Sequence, residues 1–237
     1  MDLKEIDVLG PEVGAHWYYA SKAQAMRRFL GTPSGTRVLD VGAGSGFFSK
    51  HLLAHAGAQE AWCVDISYEA ESEACEAGKT IRYLRAVDPV DADLVLLMDV
   101  LEHVDDDTGL LREYAAKVPS GGRFLITVPA FQFLWSAHDT FLGHKRRYTL
   151  GQLEKTVLSA GLEIEHSAYY FGLVLPIAAA LRLAERTRRQ DQAPQSQMRA
   201  HHPLVNGLLK SLCSIELPIF RFNRLGGLTI FCVARKP

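Results

Sequence analysis

The 237-residue chain has few cysteines and no long apolar run, and both absences exclude classes of protein. Its four cysteines, Cys63, Cys75, Cys213 and Cys232, lie far apart and form no C-x-x-C pair, which argues against a disulfide scaffold or a zinc knuckle. The longest apolar stretch, residues 169–181, is too short to span a bilayer. No apolar core of a secretory signal follows the first residues. We therefore expect a cytoplasmic protein in a reducing compartment.

An excess of charge is also lacking, because 26 Lys and Arg are offset by 27 Asp and Glu, so we expect no nucleic-acid partner. The two signs are unevenly distributed. Residues 1–169 carry 16 basic and 24 acidic side chains, whereas residues 170–237 carry 10 basic and 3 acidic. The basic, leucine-rich segment suits peripheral contact with the inner face of a membrane, or a lipid-linked acceptor. A homodimer interface or a lid on the core explains it as well.

From residue 37 to residue 162, short β-rich runs alternate with helical patterns, which predicts an α/β protein whose parallel sheet carries helices on both faces. The predicted strands are Arg37–Val41, 61–65, 81–84, Leu94–Met98, 123–128, 162–169 and 229–234. The predicted helices are Trp17–Leu30, 47–56, 68–77, 107–118, 150–160, 172–187 and 202–220. Residues 190–197 are polar and are predicted to be a linker.

These patterns divide the chain into four parts. We predict an amino-terminal lid helix in residues 1–31, a ligand-binding core in 32–169, a helical lobe in 170–222 and a final strand in 223–237 that returns to the sheet.

A strand that runs into three alternating glycines is the most informative segment, Val38-Leu-Asp-Val-Gly-Ala-Gly-Ser-Gly-Phe47. Glycine lets a ligand approach the backbone, and the following helix offers unpaired N–H groups. A dinucleotide fingerprint is G-x-G-x-x-G, but here Phe47 stands where its third glycine would be. Asp40 precedes the turn, and a carboxylate there suits a cationic amine better than a pyrophosphate.

These residues resemble motif I of class I S-adenosylmethionine (SAM)-dependent methyltransferases. The resemblance implies a doubly wound, Rossmann-like sheet of seven strands in the order 3-2-1-4-5-7-6, with the last strand antiparallel. It also implies SAM as cofactor and S-adenosylhomocysteine as product. Asp65 would bind the ribose hydroxyls and Ile66 the adenine. The remaining cofactor-binding residues that it implies are Asp40, Gly42, Ala43, Gly44, Gly46, Asp99, Val100 and His103, with Tyr19 as a cover.

Further motifs resemble a bacterial subgroup known as type 11 or type 12 methyltransferases. They are His16-Trp-Tyr-Tyr19, which is similar to an H-W-W-F opening, Leu134-Trp-Ser-Ala-His-Asp139 and Gly143-His-Lys-Arg-Arg-Tyr148. This resemblance implies methyl transfer to a small-molecule or lipid-linked acceptor, with oxygen as the expected acceptor atom.

The last of these motifs supply the catalytic candidates, because they follow the fifth predicted strand at the edge where open α/β sheets bind ligands. His138 or His144 would act as base or bind the acceptor, Arg147 with Arg146 would bind an anionic group, and Tyr148 would assist. The alternative is that these side chains only hold the loop together. We expect no metal site.

Two other functions stay open at this stage. One is an NAD(P)-dependent oxidoreductase, and the other is a catalytically silent subunit that binds SAM.

Overall fold

The computed structural model describes residues 10–31, 35–188 and 202–237, so the predicted linker at 190–197 lies outside the described residues. The strands are β1 (Arg37–Val41), β2 (Glu60–Val64), β3 (Ser72–Glu76), β4 (Lys79–Leu84), β5 (Leu94–Met98), β6 (Arg123–Pro129), β7 (Glu163–Tyr170) and β8 (Thr229–Arg235). The α-helices are α1 (Trp17–Leu30), α2 (Phe47–His55), α3 (Asp107–Ala116), α4 (Ala137–Leu142), α5 (Leu150–Ser159), α6 (Leu175–Arg188) and α7 (Pro203–Glu216). Short 3-10 helices cover Gly10–Ala15, Leu101–His103, Gln132–Leu134 and Phe220–Phe222.

All eight strands form one sheet in the order β3-β4-β2-β1-β5-β6-β8-β7. The five strands from β4 to β6 are parallel, and β8 is antiparallel to both of its neighbours. Without β3 the order is the predicted 3-2-1-4-5-7-6, and the predicted antiparallel last strand is confirmed. The α/β fold class is therefore confirmed, with eight strands instead of seven.

The additional strand corrects the helix that we predicted at residues 68–77. Ala77 and Gly78 both have positive φ, at 52° and 77°, which gives a tight hairpin turn that pairs β3 antiparallel to β4. Arg82 donates to Glu73 and Glu60 across this edge, at 2.9 Å each. The Glu- and Ala-rich sequence favours a helix intrinsically, but the turn and the cross-strand ion pairs favour a strand.

Helices cover both faces of the sheet. One face packs against α1, α2 and α7 through an apolar cluster that includes Met26, Leu52 and Phe231. The other packs against α3 and α5 through a cluster that includes Leu111 and Leu153. Helix α1 is therefore part of the core rather than a loose lid.

The carboxyl-terminal lobe leaves many apolar side chains exposed. On α7, an apolar stripe faces outward, because Leu204, Leu208 and Ile215 are 77%, 62% and 67% exposed. The buried side of this helix presents Cys213 and Glu216 instead, and Glu216 accepts hydrogen bonds from the backbone N–H groups of Gly172 and Leu173. Among the described residues, no helix has both the length and the apolarity needed to cross a membrane.

Candidate functional site

Three strained residues mark one edge of the sheet. Asp99, Phe131 and Phe171 have φ values of 58°, 58° and 63°, and they follow the carboxyl ends of β5, β6 and β7. These strands point the same way, so the three residues lie at the same edge. A positive φ is costly for residues other than glycine, and such residues cluster at functional sites. This edge is also where open α/β sheets bind their ligands.

The glycine turn lies at this edge, between β1 and α2. Gly42 has a φ of 64°, and a Cβ on it would lie 2.9 Å from Cγ2 of Val100. Gly46 has a φ of 70° and begins α2, where a Cβ would lie 3.2 Å from the sulfur of Cys63. The predicted strand–turn–helix is therefore present, and both positions exclude a side chain. An elongated ligand can lie directly on this backbone, which fits SAM.

Asp65 lies beside the turn, immediately after β2. Its Oδ2 accepts a hydrogen bond from the N–H of Gly44 at 2.9 Å, and its Oδ1 accepts one from the N–H of Ser67 at 3.0 Å. Ile66, next to it, is 85% exposed. Asp65 therefore shapes the turn itself, and the ribose and adenine contacts expected of these two residues stay predictions.

Asp40 has a different environment from the one expected. Its carboxylate is 2% exposed and accepts a hydrogen bond from the hydroxyl of Ser49 at 2.7 Å, so it joins β1 to α2. Burial raises its pKa to about 6, although the bond from Ser49 opposes that shift. Asp40 is therefore buried beneath the turn and bonded to Ser49, and the ligand contact expected of it stays a prediction.

Asp99 is held by the amino-terminal helix. Lys22 of α1 is fully buried and forms an ion pair with Asp99, and Thr127 Oγ1 donates to the same carboxylate at 3.0 Å. Burial alone would lower the pKa of Lys22, but the charge of Asp99 outweighs it and raises that pKa. Any contact between Asp99 and the cofactor therefore uses a carboxylate that is already paired with Lys22.

Two tyrosines of α1 have different positions, since Tyr19 lies in the core and Tyr18 lies at the ligand edge of the sheet. Tyr19 is 1% exposed and packs edge-to-face on Phe47, so its ring lies in the core instead of covering a ligand as expected. Tyr18 stacks on Phe171 with ring centroids 5.2 Å apart, and its hydroxyl lies 3.4 Å from Asp99. Tyr18 is therefore the tyrosine of this helix that reaches the strained edge.

Asp139 organises the segment after β6. It is fully buried and accepts hydrogen bonds from Arg147 Nε at 2.7 Å and from the N–H of Ser136 at 2.8 Å. His144 Nδ1 lies 2.9 Å from the same carboxylate. Burial would raise the pKa of Asp139, but the bond from His144 and the charge of Arg147 hold it well below its usual range. An ionised carboxylate only accepts, so Nδ1 of His144 donates, and in the neutral imidazole Nε2 is the nitrogen that carries the lone pair.

Two of the predicted catalytic residues are buried and bonded to other protein groups. Arg147 is 8% exposed, forms two bonds to Asp139, and donates to the carbonyl of Ala130 at 3.0 Å. Tyr148 is 3% exposed, and its hydroxyl donates to Asp107 at 2.8 Å. These bonds support the alternative that the two side chains hold the loop together, and their catalytic roles stay predictions. His138 lies half-buried on α4, next to Asp139.

His103 and His144 come together, although they are 41 positions apart in the sequence. Their rings meet edge-to-face with centroids 4.8 Å apart. A ring nitrogen of each and a carboxylate oxygen of Glu102 all lie within 4.8 Å of one another. Glu102 is fully buried, and both of its carboxylate oxygens lack a hydrogen-bond partner. Glu102 was not among the site residues predicted from the sequence, since a Glu after a strand carries no signal of burial.

Comparison with known proteins identifies the family of the chain. Residues 15–167 match the family model described as a methyltransferase domain. The chain belongs to this methyltransferase domain family. The match spans the glycine turn, Asp65, and the Glu102–His103–His144 group. The predicted SAM methyltransferase family is therefore confirmed, with SAM as its cofactor, and the oxidoreductase alternative is set aside.

Curated relatives of this methyltransferase resemble only part of it. A ubiquinone biosynthesis O-methyltransferase from Xanthomonas euvesicatoria is 34% identical over 105 residues, which cover 40% of this chain and 43% of the relative. Its counterpart from Ralstonia nicotianae is 36% identical over 100 residues, covering 38% and 41%. The chain thus matches less than half the length of these relatives.

Solved structures resemble the whole fold at lower identity. The methyltransferase in a complex with the Trm112 activator from Haloferax volcanii has a TM-score of 0.58 at 18% identity, covering 95% of this chain and 92% of that one. Phosphoethanolamine N-methyltransferase 2 from Haemonchus contortus, in complex with SAM, has a TM-score of 0.54 at 20% identity, covering 93% and 53%. At these identities the likeness shows the fold alone.

Proposed function

We propose that this methyltransferase transfers the methyl group of SAM to an oxygen atom of a small-molecule acceptor. The observation that carries the proposal is the pairing of Asp139 with His144 Nδ1 at 2.9 Å, which orients this imidazole. In its neutral form the ring has Nε2 available to accept a proton, and His103 packs edge-to-face against it. A hydroxyl acceptor needs such a group for its proton. The name of the partial relatives, O-methyltransferase, supports oxygen as the acceptor atom.

Each residue then has a defined task. SAM, when bound, supplies an electrophilic methyl group on a sulfonium. The backbone at Gly42 and Gly44 holds the ligand close, and Asp65 binds its ribose hydroxyls. His144 Nε2 accepts the acceptor's hydroxyl proton as the new carbon–oxygen bond forms and the carbon–sulfur bond breaks. Because the leaving group is already good, alignment of the two reactants supplies most of the help, up to about 7–11 kcal/mol in ideal cases.

Calorimetric titration with S-adenosylhomocysteine tests the cofactor site. Asp65→Ala should weaken binding by about 1–3 kcal/mol, which is the cost of lost hydrogen bonds to a charged group. Glu163→Ala is the matched control, because Glu163 lies 63% exposed at the amino end of β7, away from the ligand edge. Equal affinity of both variants and the unmodified protein would refute the ribose assignment.

A screen with labelled SAM tests the reaction. Phenols, carboxylic acids and polyprenyl phosphosugars are the acceptors to compare, because they present oxygen with different charge and lipid content. We expect His144→Gln to lower the rate of methyl transfer at least tenfold while S-adenosylhomocysteine still binds. This result would support the proposal. Binding of S-adenosylhomocysteine without transfer to any acceptor would favour the silent subunit instead.

We also propose that the carboxyl-terminal lobe contacts an anionic membrane, which would give access to a lipid-linked acceptor. Its support is the outward-facing stripe on α7, where Leu208 is 62% exposed, together with Phe222 and Leu225, which are 74% and 96% exposed. Arg221 is exposed beside them and suits anionic headgroups.

Co-sedimentation with phosphatidylglycerol vesicles tests this contact. Leu208→Asp should reduce the bound fraction, whereas Leu158→Asp, at an apolar residue 58% exposed on α5, should leave it unchanged. The alternative outcome has two parts: light scattering detects a dimer that Leu208→Asp dissociates, and the protein does not bind vesicles at low salt. That result would show that the stripe is a homodimer interface.

A further inference from the structure

We propose that Glu102, His103 and His144 form a binding site for a divalent transition-metal ion. The three side chains come from two segments, the 3-10 helix after β5 and the turn after α4, and their ligand atoms already lie within 4.8 Å of one another. Only the assignment of a task to the ion rests on the function proposed above; the binding itself does not.

Glu102 is the first argument for a cation. Its carboxylate is fully buried with no hydrogen-bond partner at either oxygen. Burying a carboxyl group without a partner costs several kcal/mol, and native structures rarely leave one so. A bound cation would satisfy both oxygens.

His144 is the second argument, because its orientation is already fixed. Asp139 accepts the Nδ1 proton at 2.9 Å, which leaves Nε2 as the nitrogen that can bind a ligand. Asp139 is itself held by Arg147 and Ser136. A carboxylate that orients a histidine in this way is the usual outer partner of a metal-binding imidazole.

The donor set selects the kind of ion. Two imidazoles and one carboxylate suit Mn²⁺, Fe²⁺ or Zn²⁺, whereas Mg²⁺ and Ca²⁺ prefer oxygen ligands only. Metal bonds of about 2.0–2.2 Å place ligand atoms roughly 3.0–3.4 Å apart, so binding would draw the three groups inward. Three protein ligands leave open positions, as in catalytic sites.

An open position gives the ion its task. An acceptor oxygen bound there would lose its proton more readily and would be held as an anion at the ligand edge. His144 Nε2 would then bind the ion and could not accept a proton, so its assignment as base applies to the metal-free protein. In the metal-bound protein the acceptor's proton would leave to solvent. Acceptors with two neighbouring oxygens would be favoured, because both can bind one ion.

Titration of the full chain with Mn²⁺, followed by electron paramagnetic resonance, tests the site without relying on activity. The protein should carry no histidine tag. We expect one Mn²⁺ bound per chain, at least tenfold weaker binding in Glu102→Gln, and unchanged binding in His166→Gln. His166 is the control because it lies on β7 and contacts the carbonyl oxygen of Arg221. Zn²⁺ should displace the bound Mn²⁺ at lower concentration than Mg²⁺ does.

Thermal unfolding with and without Mn²⁺ gives a second measurement. The ion should raise the melting temperature of the unmodified protein and of His166→Gln, but not that of Glu102→Gln. If Glu102→Gln fails to fold, His103→Asn replaces it in both measurements. Absence of Mn²⁺ binding, or binding that neither variant weakens, would overturn the metal site, and intact S-adenosylhomocysteine binding would show that the proposed cofactor site survives.

Discussion

The buried ion pair between Lys22 and Asp99 should be a major determinant of stability. Lys22 is fully buried on α1, and Asp99 is 26% exposed after β5, so Lys22→Met leaves a mostly buried carboxylate without its cation. Breaking a buried pair costs about 3–5 kcal/mol. For a chain of this length each kcal/mol shifts the melting temperature by about 2–4 °C, so we expect a decrease of roughly 6–20 °C.

A double-mutant cycle separates the pair from its surroundings. Urea unfolding of Lys22→Met, Asp99→Asn and the double variant should give a coupling free energy of about 1–3 kcal/mol, because the double variant buries no unpaired charge. Lys155→Met is the control, since Lys155 is an exposed helical lysine on α5 and should change stability by less than about 0.5 kcal/mol. A loss below about 1 kcal/mol in Lys22→Met, or strictly additive effects, would refute this reasoning.

Three further predictions follow from the site. Arg147→Lys should lower the free energy of unfolding by about 1–3 kcal/mol, because lysine cannot form both bonds to Asp139, and urea unfolding measures it. Gly42→Ala should abolish S-adenosylhomocysteine binding in calorimetry, since its Cβ would lie 2.9 Å from Val100 at a φ of 64°. Asp40→Asn should become more stable relative to the unmodified protein as pH rises from 4 to 7, because the native pKa of Asp40, about 6, exceeds its ordinary 3.8. The full difference of about two pKa units corresponds to about 3 kcal/mol, of which unfolding at pH 5.0 and 7.5 should show about 1.4 kcal/mol.

Each of these has an outcome that contradicts it. An Arg147→Lys variant with unchanged stability and a higher KM for an anionic acceptor would support the predicted binding role of Arg147 instead. Normal ligand affinity in Gly42→Ala would show that the turn can shift away from Val100. A stability difference between Asp40→Asn and the unmodified protein that does not change with pH would mean that Asp40 is not titrating in this range.

Much of the fold could be predicted, because the pattern that defines it is local. The apolar run Leu94–Met98 is buried at every position, as expected for a central strand. Thr149 and Gln152 form the capping box that begins α5, and Gly161 takes the left-handed conformation after it. Residues 68–77 could not be predicted in the same way, since β3 is an exposed edge strand whose pairing partners, not its composition, determine its conformation.

The site was predicted less completely, because its chemistry depends on distant pairs. The glycine turn and Asp65 could be predicted, because the sequence pattern that indicates them is contiguous. By contrast, nothing local distinguishes a buried Lys22 from an exposed lysine. The partner of Arg147 lies eight residues away, and the sequence did not show whether that arginine would meet a ligand or a carboxylate. For the same reason, Glu102 was not predicted to belong to the site, although it is next to His103 in the sequence.

The position of β8 between β6 and β7 has a consequence for biosynthesis. Because β6 and β7 have no direct pairing, β7 cannot join the sheet until the ribosome has translated through Arg235 and released that segment. Strands β1 to β6 can assemble during translation, whereas Tyr169 and its neighbours on β7 must wait for the last strand. A nascent chain stalled before Thr229 would present the unpaired edge of β6 to chaperones, and to other unfinished copies of itself.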